Sequence, residues 1–311
     1  MTVATFIQLI VEGLGTGAVY AALALAIVLV NQATGIVNFA QGGMAVLSAY
    51  IALVLVNLFA PATGTAAALV LAIILAAAIS FVLGALVERL IIRRFEGGDP
   101  DTAVVATIGL LTLITGICGI VWSYNYLPFP WFFSTGDAFR VGGVTISWWA
   151  LTSILVIVIV MVLLQLLFRG TKLGLALRAV ADNPQSAALS GLRVGGLLMI
   201  GWGFAAVLGS IAGAIVAPKL QLAPNMLEEA LVYALAAVII GGLDSPIGAV
   251  VAAFGVSVLE NLAAVYLATI PGTSIPFIGH DLKIVVPFVL LFLVLVIRPQ
   301  GLFGRKSVVR V

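Results

Sequence analysis

Four polar side chains lie within or beside long apolar stretches of the sequence, and apolar packing explains these residues less well than it explains their neighbours. Asn38 and Gln41 stand near the start of one apolar stretch, Asp244 follows another, and Glu260 lies inside a third. Carboxylates and amides bind ammonium groups and backbone polar groups, whereas a charge at the bilayer centre costs about 2.5–3.5 kcal/mol on insertion scales. Such residues usually face a cavity or a partner, so we predict that these four line a translocation pathway.

A structural role explains the same residues equally well. Asn38 and Gln41 flank an interruption at 31–38, where amide side chains can satisfy the backbone groups that a broken helix sets free. Glu260 and Glu12 can lie close enough to the membrane surface to be hydrated. The sequence offers none of these residues a basic partner within the apolar stretches, so it does not support a proton relay through the core.

The elements that must hold these residues are membrane-spanning helices. Hydrophobic residues make up 63% of the chain and charged residues 8%, with a mean hydropathy of +1.28, whereas roughly a quarter of the residues in soluble domains are charged. These values predict an all-α fold, a polytopic transmembrane helical bundle with eight to nine spans. Apolar segments of spanning length lie at 5–30, 39–60, 64–91, 102–123, 148–168, 197–217, 226–242, 246–270 and 284–297.

The distribution of lysine and arginine predicts which side of the membrane each connection faces. Cytoplasmic connections are enriched in these residues, and here they cluster at 89–94, at 169–193 and from 298 onward. All three regions are cytoplasmic if the chain has nine spans, an outside N-terminus and a cytoplasmic C-terminus. The uncharged stretch 31–38 leaves an alternative open, in which the chain breaks at membrane depth and makes eight crossings from the opposite side.

A pseudo-repeat accompanies two interrupted helices. The apolar stretch that begins at Tyr20 precedes the break near 31–38, and the stretch that begins at Tyr233 precedes a second break at 241–248. Each break is followed by another apolar helix, and each set ends with basic residues. Interruptions at matching positions are a feature of transporters and tend to lie near the substrate route.

Motifs for metal binding and for nucleotide hydrolysis are missing from the sequence. Cys118 is the single cysteine and His280 the single histidine, and a zinc site needs three or four ligands. Gly304-Arg-Lys-Ser lacks the spacing of a P-loop, and Gly13-Leu-Gly-Thr-Gly17 fits the packing of small residues between helices. We therefore predict no catalytic residues, no metal site and no nucleotide hydrolysis by this chain itself.

The longest polar interval, residues 169–196, predicts a helical elbow between two spans. Good helix formers run from Leu173 to Ala181, and Asp182-Asn183-Pro184 ends that helix because the residue before a proline avoids the α region. Asn183 can cap a second helix, Pro184 suits its first position, and Gly191 can close its end. A capped, basic elbow of this kind offers a surface that a cytoplasmic partner can bind.

Four motifs in the right order give the chain a resemblance to the permeases of branched-chain amino acid ABC importers, the LivH and LivM type. The motifs are Asn31-Gln-Ala-Thr-Gly-Ile-Val-Asn-Phe-Ala-Gln-Gly42, the stretch 174–191, the stretch 241–248 and Arg298-Pro-Gln-Gly-Leu-Phe-Gly304. Together they cover nearly the whole chain, and its length is more similar to the LivH half than to its LivM partner.

The resemblance implies a single transmembrane permease domain, residues 1–311, in the bacterial plasma (inner) membrane. The implied partners are a second permease of the LivM type, two cytoplasmic ATPase subunits, an extracytoplasmic substrate-binding protein and the lipid bilayer, with no nucleic acid. ATP and Mg²⁺ would be bound by the ATPases, and no cofactor by this chain. The elbow would couple to the ATPases through Arg178, Asp182, Asn183, Pro184, Ala187, Ala188 and Gly191.

Other transporters and membrane enzymes share parts of this pattern. Importers of urea or short amides have similar permeases, so the identity of the substrate stays open. An ion-coupled secondary transporter would share the composition and the repeat, but the missing charge pairs inside the spans argue against it. The absence of catalytic clusters argues against a membrane enzyme.

Overall fold

The computed structural model describes residues 3–95, 100–132, 136–268 and 284–304, and helices dominate this part of the chain. The fold is therefore the all-α, polytopic helical architecture that the composition predicts. The elements in chain order are α1 (Val3–Thr34), α2 (Gln41–Thr63), α3 (Thr65–Leu90) with a 3₁₀ turn (Ile92–Arg94), α4 (Pro100–Trp122), β1 (Asp137–Val141), β2 (Val144–Ser147), α5 (Trp148–Gly170), α6 (Lys172–Asp182), α7 (Pro184–Leu189), α8 (Val194–Leu220), α9 (Glu228–Gly241), α10 (Pro246–Ala268) and α11 (Val285–Ile297).

Each of the nine apolar segments predicted from the sequence contains a helix, but two of these helices are short. Seven helices in the described ranges are long and apolar enough to cross a membrane: α1 to α5, α8 and α10. Helix α9 has 14 residues and α11 has 13, which at 1.5 Å per residue is about 20 Å against a hydrocarbon core of about 30 Å. The break predicted at 31–38 is also shorter, because α1 continues to Thr34 and α2 begins at Gln41.

The helices fall into two compact units. One unit contains Leu25–Phe132 and Val158–Leu231, and its centre is formed by α2, α3 and α8. Small residues let these helices approach closely: a Cβ atom on Gly213 would lie 2.5 Å from the carbonyl oxygen of Ala45. In a bilayer the hydrophobic effect does not drive helices together, because lipid tails are as apolar as the helix surfaces. Close van der Waals packing of this kind holds the helices together instead.

The other unit contains Met1–Ala24, Phe133–Ile157 and Val232–Val311. Ser257 of α10 donates a hydrogen bond of 2.8 Å to the carbonyl oxygen of Gly13 in α1, and Asn261 donates one of 2.9 Å to that of Leu9. A Cβ atom on Gly13 would lie 2.8 Å from the backbone of Val258. These contacts confirm that the glycines of α1 serve helix packing.

A short antiparallel hairpin, β1 and β2, is a feature that the sequence analysis missed. It lies between the apolar segments predicted at 102–123 and 148–168, where the sequence analysis placed no element. Gln8 of α1 fastens it, because its side chain accepts a hydrogen bond of 2.6 Å from the amide of Thr145 and donates one of 2.9 Å to the carbonyl oxygen of that residue. The pathway residues and the elbow lie outside this hairpin.

Candidate functional site

The elbow consists of two short helices, α6 and α7, with the capping pattern predicted from the sequence. The Thr171 hydroxyl accepts a hydrogen bond from the Gly174 amide at 3.0 Å and begins α6. The Asn183 side chain accepts one from the Ser186 amide at 2.9 Å, and Pro184 occupies the first turn of α7. Gly191 ends α7 with a φ of +83°, a left-handed conformation in which glycine avoids the strain that a Cβ atom would cause.

A small hydrophobic core holds the two elbow helices together and ties them to α8. This elbow core consists of buried residues from α6, α7 and the first turns of α8, namely Leu177, Val180, Ala187, Leu197 and Leu198. Ala33, near the end of α1, packs against it. The elbow is therefore a folded part of its unit whose inner face contacts the residues just before the break between α1 and α2.

The outer face of the elbow is exposed and carries apolar side chains as well as charged ones. Leu175 is 62% exposed and Leu189 is 91% exposed. Of the residues predicted to couple to a partner, Arg178, Asp182, Asn183, Pro184, Ala188 and Gly191 are exposed. Ala187 is 4% exposed and belongs to the elbow core, so the structure separates it from the other six.

An ion pair that the sequence analysis missed lies where the elbow joins the spans. The guanidinium group of Arg93 donates two hydrogen bonds to the carboxylate of Glu88, at 3.1 and 2.8 Å. The same group donates a third, at 2.7 Å, to the carbonyl oxygen of Gly195 in the first turn of α8. Glu88, Arg93 and Gly195 are called the joint below.

The first break, residues 35–40, is held by the two amide residues that flank it. Asn38 donates to the Gln41 side chain at 3.2 Å and accepts from the Ala40 amide at 3.0 Å. Gln41 donates to the carbonyl oxygen of Ala205 in α8 at 2.9 Å. Ala205 lies about 17 Å along α8 from Val194, at 1.5 Å per residue, so the break reaches well into the length of the span. Both amides are fully buried, and Asn38 satisfies a backbone amide inside the break, as the structural alternative predicts.

Three serine hydroxyls form a second polar contact in the same unit. Ser80 of α3 donates to Ser48 of α2 at 2.7 Å, and Ser48 donates to Ser210 of α8 at 2.6 Å. All three are buried. No local signal in the sequence pairs them, because each hydroxyl comes from a different helix.

Glu260 and Asp244 lie in the other unit, and the structure does not bring them together. Glu260 is 8% exposed and accepts a hydrogen bond of 2.9 Å from the Tyr20 hydroxyl, and the Tyr20 ring lies 5.1 Å from that of Tyr233. Asp244 is exposed and precedes the start of α10 at Pro246, which lies about 21 Å from Glu260 along the helix at 1.5 Å per residue. Tyr20 and Tyr233, which begin the apolar stretches before the two predicted breaks, therefore pack against each other, and Tyr20 also contacts Glu260.

The last two sequence motifs contact each other within this unit. The Leu302 amide donates to the carbonyl oxygen of Ile240 at 2.8 Å, and the Phe303 amide donates to that of Gly241 at 3.1 Å. A Cβ atom on Gly242, whose φ is +104°, would lie 2.7 Å from the Gly304 nitrogen. Glycine at 242 is therefore needed both for its backbone conformation and for the close approach.

Comparison with known proteins assigns the chain to a transport family. The family model described as "Branched-chain amino acid transport system / permease component" matches residues 9–295. The chain belongs to this family. In the part of the permease that the structure describes, no three His, Cys, Asp or Glu side chains are grouped as metal ligands would be.

Individual relatives cover almost the whole permease. It is 28% identical to a probable branched-chain amino acid transport permease protein LivH of Methanocaldococcus jannaschii, over 91% of this chain and 87% of that one. It is 26% identical to the high-affinity branched-chain amino acid transport system permease protein BraD of Pseudomonas aeruginosa, over 98% of each chain. Its likeness to PsaBC from Streptococcus pneumoniae in complex with Fab, at a TM-score of 0.45, 14% identity and coverage of 96% and 97%, is too low to argue from.

The permease thus combines two interrupted helix pairs with one folded elbow. The break at 35–40 separates α1 from α2, and the break at 242–245 separates α9 from α10. Ser245 caps α10 by accepting a hydrogen bond of 3.1 Å from the Gly248 amide. Each break is held by side-chain hydrogen bonds, which a multi-pass membrane protein needs wherever its backbone leaves the helix.

Proposed function

We propose that this permease subunit moves branched-chain amino acids across the plasma membrane, driven by ATPase subunits that bind its elbow. The permease itself is not an enzyme: ATP and Mg²⁺ bind the ATPases, and this chain holds no cofactor. The assembly contains a second permease of the LivM type, two cytoplasmic ATPase subunits and an extracytoplasmic substrate-binding protein. Residues 1–311 form one permease domain, with residues 169–196 as its coupling elbow.

The observation that carries this proposal is the contrast between the two faces of the elbow. Its inner face is packed into the elbow core, whereas its outer face leaves Leu189 91% exposed beside charged residues. Exposed apolar side chains rimmed by polar ones are typical of protein interaction sites. The charges nearby are Lys172, Arg178, Asp182 and Arg193, so an acidic cleft on the partner would complement the net positive elbow.

The joint supports the proposed orientation. It places the end of α3 beside the start of α8, so the basic residues at 89–94 and those of the elbow share one end of the unit. Arginine and lysine are enriched on the cytoplasmic side of membrane proteins. We therefore place the elbow and the end of α3 in the cytoplasm, and the C-terminus, which follows the third basic cluster, on the same side.

The transport step then follows from the rigidity of the elbow. ATP binding draws the ATPases together, and the elbow moves with them as one body because its helices share a core with α8. The motion reaches α8 directly and reaches the end of α1 through Ala33. Switching between two packed arrangements of the spans exposes the route first to one side and then to the other.

The route for an amino acid needs few strong contacts, because affinity resides in the external binding protein. Within the pathway we assign Asn38 and Gln41 to shaping the first break, and Asp244 and Glu260 to supplying negative charge. Glu260, whose carboxylate accepts a hydrogen bond from Tyr20, can attract the ammonium group of a zwitterionic amino acid by its charge. The apolar helix surfaces suit an aliphatic side chain.

The test is purification of the tagged permease with its partner subunits, followed by ATPase and uptake assays in liposomes. We expect ATPase subunits to co-purify and leucine, presented with the binding protein, to stimulate hydrolysis and uptake. Urea in place of leucine should leave both at their basal rates. Stimulation by urea but not by leucine would overturn the substrate assignment, and transport by the permease alone, without any nucleotide-hydrolysing subunit, would overturn the coupling.

A further inference from the structure

The end of α3 has an unusual local geometry that brings two opposite charges together. Glu88 and Arg93 are five positions apart, and in a continuous α-helix such residues are rotated by about 140° from each other. The chain tightens after Leu90 into the 3₁₀ turn Ile92–Arg94, which turns Arg93 back onto Glu88. The carboxylate of Glu88 is fully buried, and the side chain of Arg93 is 37% exposed.

The third member of the joint shows that this pair does more than finish α3. Arg93 reaches Gly195 across 102 positions of sequence, and Gly195 belongs to the first turn of α8, at the end of the elbow. A Cβ atom on Gly195 would lie 3.0 Å from the guanidinium carbon of Arg93, so any side chain at this position would require the guanidinium group to shift by a few tenths of an ångström. The neighbouring Gly196 has no such contact, since the nearest atom to a Cβ there is 3.9 Å away.

Electrostatics make the three groups dependent on one another. The N-terminal end of a helix carries partial positive charge, so a lone guanidinium group beside the first turn of α8 would be repelled. The carboxylate of Glu88 neutralises that group and orients it through two parallel hydrogen bonds, a geometry that arginine forms and lysine does not. The hydrogen bond between Arg93 and Gly195 therefore depends on Glu88, although Glu88 itself is not one of its partners.

We propose that the joint makes the start of α8 and the end of α3 move as one body, so that displacement of the elbow reaches α3 as well as α8. Glu88, Arg93 and Gly195 are then positioning residues for transport: they contact neither substrate nor nucleotide, and they act through the helices they join. This inference rests on the proposed coupling role of the elbow. It adds a polar link, at the end of α3 and the start of α8, to the packing of these two helices at the centre of their unit.

The first test measures the coupling of hydrolysis to transport in the purified, reconstituted complex. Glu88→Gln and Arg93→Lys should lower the leucine taken up per ATP hydrolysed by about 5-fold or more, the range of ordinary coupling energies. Gly195→Ala keeps both charges and should change the ratio in the same direction but less. The matched controls, Gly196→Ala and Arg94→Lys at the exposed Arg94, should stay within about 2-fold of the unmodified complex.

The second test measures the joint itself in the full-length permease in nanodiscs, with no substrate or ATPase present. In a Cys118→Ala background, spin labels at Leu90 and Ala188 report the distance between the end of α3 and the elbow. We expect one narrow distance distribution, which Glu88→Gln and Arg93→Lys broaden and Gly196→Ala leaves unchanged. A merely local role in finishing α3 would leave this distribution narrow in every variant.

Three outcomes decide the matter. An unchanged coupling ratio together with a narrow distribution in Glu88→Gln and Arg93→Lys would overturn the joint. If those two variants fail to fold, a wild-type ratio and distribution in Gly195→Ala would overturn it instead. Loss of ATPase binding to the unmodified elbow would refute the proposed function, whereas the spin-label distances would still report whether the joint exists.

Discussion

Ala187 and Ala188 are consecutive residues of α7, yet Ala187 is 4% exposed inside the elbow core and Ala188 is exposed on the outer face. A carboxylate at Ala188 meets solvent in the free permease but would be desolvated beneath a bound partner. We therefore expect Ala188→Asp to leave the thermal stability of the permease unchanged and to lower co-purification of ATPase subunits about 10-fold or more. Ala188→Ser is the control and should bind normally. Normal ATPase binding by Ala188→Asp would count against the outer face as the docking surface.

The same substitution one residue earlier should act through stability instead. Ala187→Asp places a carboxylate among Leu177, Val180 and Leu198, and a buried unpaired charge costs about 3–5 kcal/mol. We expect a lower melting temperature of the purified permease even when no ATPase is present. A melting temperature equal to that of Ala188→Asp would show that Ala187 is not part of a packed elbow core.

These two residues show what could be predicted from the sequence and what could not. The caps of the elbow depend on neighbouring residues, so Asn183, Pro184 and Gly191 are recognisable without the structure. Which alanine is buried depends on where α8 passes, and no local pattern gives that. The joint was missed for a similar reason: a five-residue spacing pairs Glu88 with Arg93 only because the helix tightens between them, and Gly195 is distant in sequence.

For the polar residues of the spans, too, the sequence predicted some features and left others open. The sequence identified Asn38, Gln41, Asp244 and Glu260 as candidates because polar groups are costly in lipid. It left the role of the two amides open: Asn38 accepts from the Ala40 amide inside the break, Gln41 donates to Ala205 within α8, and the pathway role of both stays a prediction. The segment predicted at 226–242 is longer than α9 (Glu228–Gly241), whereas the one predicted at 284–297 agrees with α11 (Val285–Ile297) to within one residue.

Loss of the buried charge at Glu260 should weaken transport without unfolding the permease. Glu260→Gln keeps the shape of the side chain and its contact with Tyr20, but removes the attraction for an ammonium group. We expect the maximal rate of leucine uptake, measured with saturating leucine and binding protein, to fall about 10-fold, corresponding to roughly 1.4 kcal/mol. Tyr20→Phe, which removes only the hydroxyl that donates to Glu260, is the control and should lower that rate less. An unchanged maximal rate in Glu260→Gln would exclude contact between this carboxylate and the substrate.

The hydrogen bond that Gln41 makes at the break before α2 should require that residue 209 has no side chain. A Cβ atom on Gly209 would lie 2.5 Å from the amide nitrogen of Gln41, so Gly209→Ala must displace the hydrogen bond to Ala205. Leaving a buried polar group unpaired costs about 1–3 kcal/mol, and we expect a lower melting temperature and slower uptake. Gly255→Ala in α10, where no atom lies within 4 Å of the added Cβ, should be tolerated. Equal stability of the two variants would contradict the tight contact at Gln41.

The contact between the last two motifs makes a further prediction for the second break. Gly248 lies against the backbone of Gly241 and the side chain of Phe303, so Gly248→Ala should separate α10 from the segment after α11. We expect poor yield of folded permease in size-exclusion chromatography, with Gly255→Ala again as the neutral control on the same helix. Normal yield and an unchanged melting temperature for Gly248→Ala would show that this approach has more room than the structure indicates.

Chemical labelling of the elbow tests the central claim most directly. In a Cys118→Ala background, a cysteine at Ala188 would be treated with a membrane-impermeant maleimide in intact cells and in inside-out vesicles, with and without co-expressed ATPase subunits. We expect labelling only in inside-out vesicles and protection when the ATPases are present. Labelling in intact cells, or equal labelling with and without the ATPases, would contradict it.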